Sequence, residues 1–137
     1  MSPEERWFPS HLTEMGEVEC HELLASHKVG RVAYCDDLGP VVLPVNYAVD
    51  QGTVLIQVSP HSTLALNLRS AHASFEVDGF DDYNQSGWSV LVRGDAEYVD
   101  PADLPEDSRP TAWAEGQRTF HVRITPHTVT GRRLLSA

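Results

Sequence analysis

From Phe75 to Val99 the chain reads FEVDGFDDYNQSGWSVLVRGDAEYV, and no other stretch restricts the fold as strongly. Phe75 and Val77, then Trp88, Val90 and Val92, alternate with polar neighbours at the period of half-buried strands. Between them Gly79–Gly87 holds Asp81, Asp82, Asn84, Gln85 and Ser86, the composition of an acidic loop. Gly87 frees the backbone where Trp88 enters the second strand. An aromatic at a strand start beside a polar loop either flanks a planar ligand or fills a core or subunit contact.

The rest of the chain repeats the strand pattern. Residues 1–14 read as a loose arm of one domain spanning 1–137, with Trp7 and Phe8 available to dock on a partner surface. From Glu17 to His27, the spacing of Cys20, Leu23, Leu24 and His27 predicts an amphipathic helix, with Lys28 at its end and Gly30 stopping it. Strands are expected at Arg31–Cys35, Val41–Val49, Thr53–Val58, Ala73–Val77, Ser89–Val99 and Phe120–Ile124. Pro44 cannot donate to a ladder, so its strand is bulged there or open on one edge. Ser59-Pro60 signals a second helix start, with Leu64, Ala65 and Leu68 on its buried face. Its first turn offers the hydroxyls of Ser59, Ser62 and Thr63, which either hold a phosphate or only cap the helix. A short helix capped by Asp100 is expected at Pro101–Asp107, and a loop at Arg109–Gly116. Several strands with helices ahead of and among them predict a small closed β-barrel with helical additions.

Charge excludes several partners. The net charge of −10 argues against nucleic acid and against an anionic membrane surface. No apolar run is long enough for a transmembrane helix, and the polar start MSPEERWFPS does not read as a signal peptide. Cys20 and Cys35 are expected to be reduced packing residues of a cytoplasmic protein. The seven histidines are scattered without a zinc spacing, and Asp78, Asp81 and Asp82 lack the calcium-loop order. No metal site is expected, and no nucleotide loop or hydrolase elbow is present.

The ordered set GRVAY (30–34), PVNY (44–47), FEVD (75–78), GWSVLVRGDAEYV (87–99) and VTGRRL (129–134) resembles the flavin-binding split-barrel proteins of the pyridoxamine 5′-phosphate oxidase-like family, especially the small actinobacterial kind. The resemblance covers about residues 17–135. It implies a mainly β fold, a six-stranded split β-barrel with flanking helices, working as a homodimer. It also implies an oxidoreductase acting on a small-molecule substrate, with FMN in grooves at the dimer interface. Relatives use deazaflavin or FAD instead, or bind haem. On that resemblance the cofactor residues are Val45, Asn46, Tyr47, Gln57, Val58, Ser59, Ser62, Thr63, Trp88 and Ser89. The ring would lie along Val45–Tyr47 and Thr53–Gln57, flanked by Trp88, with backbone N–H groups near Asn46 and Ser89 facing the reduced ring.

The chain departs from the family at one place. FMN-binding relatives read like FRT and then GxKL, whose arginine, threonine and lysine hold the phosphate and ribityl chain. Here IQVSPHSTL puts Gln57, Val58 and Thr63 at those positions. Two missing charged hydrogen bonds, about 1.5–3 kcal/mol each, weaken phosphate binding by roughly two to four decades unless replaced. Candidate replacement cations are Arg31 and Arg93 on strands, Arg69, which six residues past Thr63 falls on a different helix face, or, from the tail, Arg132 and Arg133 of the partner subunit. The alternative class is a non-catalytic binding protein on the same barrel, with another ligand such as haem, on His61 or His72, or with none.

Overall fold

The computed structural model describes residues 11–58, 70–104 and 120–135. The helix start expected at Ser59-Pro60, with His61, Ser62, Thr63 and Arg69, and the loop around Trp113 lie outside them. In chain order the described elements are β1 (His11–Met15), α1 (Glu17–Ala25), β2 (Val29–Asp36), β3 (Gly39–Asp50), β4 (Thr53–Val58), β5 (Ser70–Asp81), β6 (Ser86–Val99) and β7 (Phe120–Leu135). All neighbouring strands pair antiparallel. The order β1-β7-β4-β3-β2-β5-β6, with β6 also paired to β7, closes six strands into a ring and leaves β1 outside it.

Short local signals set the hairpins. Gln51 and Gly52 both have positive φ, 50° and 78°. That is the two-residue primed turn whose twist suits flanking strands, and Asp50 pairs with Thr53 across it. At the preceding hairpin the Asp36 carboxylate accepts the Leu38 N–H at 2.8 Å. The region Gly79–Gly87 is less of a loop than its composition suggests. β5 and β6 pair through to Asp81 and Ser86, and only the turn 82–85 remains. Asp81 accepts the N–H groups of Tyr83 and Asn84 there. The Asn84 contacts hold its carboxyl below the usual range. Pro44 lies opposite Arg31 of β2, while β4 pairs only with Tyr47–Asp50, so the strand is open on one edge at the proline.

Three expectations are corrected. Residues 11–14 are not part of a loose arm: His11–Met15 form β1, held by β7 from Leu135 to Gly131. The last strand does not stop at Ile124 but runs to Leu135, because its second half pairs with both β6 and β1. Gly30 is no helix stop. The helix ends at Ala25, and Gly30 sits inside β2, where an added Cβ would come within 2.3 Å of the Phe75 ring. Asp100 caps a 3-10 turn at Pro101–Asp103 through Ala102 N–H at 3.0 Å, and residues 105–107 of the expected short helix lie outside the described residues.

The core fills the ring from the inward residues of each strand. Val32, Tyr47, Val54, Ile56, Phe75, Val77, Val92, Val122 and Ile124 are buried there, with Leu24 of α1 closing one end. On β6 the buried Val90, Val92, Gly94 and Ala96 alternate with the exposed Leu91, Arg93, Asp95 and Glu97. Two faces are thereby fixed: one apolar and enclosed, one polar and outward. Both cysteines are free thiols.

Candidate functional site

The C-terminal turn of α1 gathers part of the expected cofactor set. Its last carbonyls have no partners within the helix and need donors from elsewhere. The Tyr47 hydroxyl donates to the Leu24 carbonyl at 2.5 Å, and Tyr47 N–H donates to the Lys28 carbonyl. His27 Nδ1 lies 2.9 Å from the Leu23 carbonyl, and the His27 ring rests against Trp88 with centroids 4.9 Å apart. Trp88 is half-buried and packs over the bare backbone of Gly79, where an added Cβ would meet its Nε1 at 2.7 Å. Val45 and Asn46 are half-buried opposite Gly30 and Val29. Gln57 is half-buried opposite His121, and Ser89 lies opposite Asp78 and Arg132. The side chains of Tyr47 and Val58 belong to the core, and burial pushes the Tyr47 phenol far above its ordinary value. Any contact those two make with a ligand is therefore through the backbone. Ser59, Ser62 and Thr63 lie outside the described residues.

The candidate replacement cations divide into two groups. Arg31 donates to Glu76 at 3.0 Å and to Asp78 at 2.7 Å, and Arg133 pairs with Glu19. Arg93 and Arg132 have no carboxylate partner among the described residues. Arg132 stands directly across from Ser89 on β6 and from Glu14 on β1, and cross-strand partners share a face, so a carboxylate flanks it although the two form no salt bridge.

Glu76 was not singled out by the sequence reading. FEVD places Glu76 and Asp78 two residues apart on a strand, hence side by side on one face, and that spacing was the available signal. Burial, then the hydrogen bond and negative charge of Asp78, push the Glu76 carboxyl up to about 7, with Arg31 opposing them. The folded state holds this proton more tightly than the unfolded chain. The stability Glu76 contributes is thus full below its unfolded value near 4.5 and is lost as pH rises through about 7. Glu76→Gln removes that dependence. Its stability relative to wild type is expected to improve by about 1 kcal/mol between pH 5 and pH 8, screening included. Parallel urea melts at the two pH values check this, and a difference that does not change with pH refutes it.

A second feature lies at the other end of β5. A cleft of about 760 Å³, within the size range of small-molecule sites, is lined by β2, β5, β6, β7 and the start of β3. Among the described residues Arg93, His72 and His127 are its charged or ionisable lining groups together with Tyr34 and Cys35. None of the expected cofactor residues that are among the described residues lines it. At its rim Asp95 bridges two histidines: Oδ1 lies 2.7 Å from His72 Nδ1, and Oδ2 lies 2.8 Å from His127 Nε2. Those contacts, His127 first, hold the Asp95 carboxyl below its ordinary range. The Asp95 contact is made by His72 Nδ1 and leaves its Nε2 outside that hydrogen bond.

Six antiparallel strands closed in a ring, with a helix over one end, define a split-barrel protein. The profile of the pyridoxamine 5′-phosphate oxidase family matches residues 17–133, and the chain belongs to that family. It is 30% identical over 132 residues to the uncharacterized protein Rv0080 of Mycobacterium tuberculosis, covering 91% of this chain and 87% of that one. Among solved structures it resembles the FAD binding protein from Mycobacterium smegmatis at 30% identity and a TM-score of 0.70, covering 90% of this chain and 98% of that one. An FAD and heme binding protein from the same organism shares the fold at 17% identity and a TM-score of 0.65, with 90% of this chain and 73% of that one covered. No helix among the described residues is long and apolar enough to cross a membrane.

Proposed function

We propose that the chain is a flavin-dependent oxidoreductase acting on a small molecule as a cytoplasmic homodimer, with the flavin beside Trp88, Ser89 and Asn46. The supporting observation is Arg132, which lies between Ser89 on β6 and Glu14 on β1 and forms no salt bridge among the described residues. Arg132 and Ser89 offer a phosphate a cation and a hydroxyl on one face of β6. Trp88, one residue earlier, presents its half-buried indole on the other face, so a phosphate-bearing aromatic group would have to reach both faces. The same arrangement favours FAD over FMN. Each phosphate of a pyrophosphate carries a single charge, whereas a terminal phosphate approaches two, and Gln57 and Val58 supply no cation. The FAD binding relative at 30% identity agrees with that preference. A bound flavin would supply hydride and electron transfer. The protein's own part is to stack Trp88 on the ligand, to neutralise phosphate with Arg132, and to present N–H groups near Asn46 and Ser89.

Trp88→Ala is expected to weaken FAD binding about tenfold or more, the loss of one well-packed aromatic contact. Fluorescence titration of the purified protein with FAD and, separately, FMN checks it. Unchanged FAD affinity sinks the placement. A protein that binds neither flavin, but shows a Soret band with haemin, supports a non-catalytic binding protein instead.

A further inference from the structure

We propose that His72, Asp95 and His127 form a binding site for a divalent transition-metal ion of the zinc class at the rim of the cleft. This inference stands apart from the flavin reading, since among the described residues the cleft shares none with the expected cofactor set. Each of the three residues offers one ligand atom, and these atoms all lie within 4.8 Å of one another. Around a tetrahedral zinc, bonds of about 2.1 Å put ligand atoms roughly 3.4 Å apart. The three side chains are exposed, which leaves them room to rotate. Two imidazoles and one carboxylate form a donor set that suits zinc and its neighbours rather than calcium or magnesium.

The backbone is shaped to bring the third residue in. His72 and Asp95 are direct cross-strand partners, so they share the outward face. His127 comes from β7, where the register shifts: Gly94 pairs with Pro126 but Arg93 pairs with Thr128. His127 is the extra residue of a β-bulge, a device that re-aims a side chain. Pro126 suits a bulge because it cannot serve a regular ladder. Gly94 is needed for the close approach, since a Cβ there would fall 2.1 Å from the Thr125 carbonyl oxygen. Three local irregularities on two strands thus converge on placing His127 beside Asp95.

The site is open. His72, Asp95 and His127 side chains are 93%, 53% and 62% exposed. Three protein ligands with free positions is the pattern of metal sites that take up water or a further ligand. Both histidines and Arg93 line the cleft, so the free positions of the ion face a cavity that also holds a cation. An anionic small molecule bridging the metal and Arg93 is the class of ligand this geometry accepts. The net charge of −10 draws the metal ion itself toward the protein.

The test uses metal alone. Calorimetric titration of the purified protein with Zn²⁺, above the ordinary histidine range of pH, is expected to show one saturable site per chain. Co²⁺ in its place should give visible bands of a nitrogen and oxygen site. His72→Ala with His127→Ala is expected to weaken Zn²⁺ binding by a hundredfold or more, because even outer-shell losses cost about 10–100-fold. Asp95→Asn should weaken it at least about tenfold. Ring ¹⁵N shifts of His72 and His127 in wild type, on adding Zn²⁺, provide a readout that needs no variant. The proposal is overturned if wild type binds no ion saturably, if the double variant binds equally well, or if only other histidines shift.

Discussion

Phe75→Ala is expected to cost about 3–5 kcal/mol and to lower the melting temperature by more than about 10 °C. Phe75 is fully buried near the middle of β5. Its ring meets the Tyr47 ring edge-on, with centroids 4.6 Å apart, and covers the bare backbone of Gly30. Truncation therefore opens a cavity bounded by two strands on one side and an aromatic ring on the other. Neither strand can collapse into it, because β2 is pinned between β3 and β5. Tyr47 also loses the neighbour that fixes its ring, and with it the aim of its hydroxyl at the Leu24 carbonyl. The damage thus reaches the helix turn that carries His27. Equilibrium urea unfolding checks the figure, and a loss below about 2 kcal/mol would show that the site relaxes.

The second large effect is expected at Gly94→Ala, although it adds one methyl group. Adding atoms to a packed interior ordinarily costs about 1–3 kcal/mol. Here the obstacle is the backbone itself, at Thr125 and Pro126, rather than the tip of a side chain. A backbone atom yields only if β7 moves, so a loss at or above about 3 kcal/mol is expected. The bulge must shift with it, and so must His127. Zn²⁺ binding should then fall along with stability, whereas Gly16→Ala, with open space around its added Cβ, should leave Zn²⁺ binding unchanged. Equal stability of Gly94→Ala and wild type in urea would refute the tight approach of the two strands.

The alternation of Phe75, Val77, Val90 and Val92 made β5 and β6 legible, and Thr53–Val58 was legible to the residue. What escaped was pairing that only a neighbour could dictate. HLTEM has little apolar content, and it is a strand because β7 offers it an edge. The far half of β7 was hidden by Pro126 and Gly131, which interrupt the pattern that would have extended it. The spacing of Glu76 and Asp78 in FEVD makes them neighbours on one face, but the burial that comes first in raising Glu76 exists only in the folded barrel. His72, Asp95 and His127 lie 23 and 32 residues apart in sequence, so no local spacing could join them. The convergence of Trp88 on His27 was equally remote, since a helix end and a strand start meet only when the barrel closes.

β7 pairs with β4 along its first half, with β1 along its second, and with β6 along nearly its whole length. During synthesis every one of those three strands emerges before its partner exists. A nascent chain that already contains β1, β4 and β6 therefore presents three open edges at once, each able to recruit a neighbouring chain. The step that ends this exposure is the arrival of residues 120–135. Yield of folded protein should consequently be more sensitive to what delays that segment than to anything done to the first hairpins.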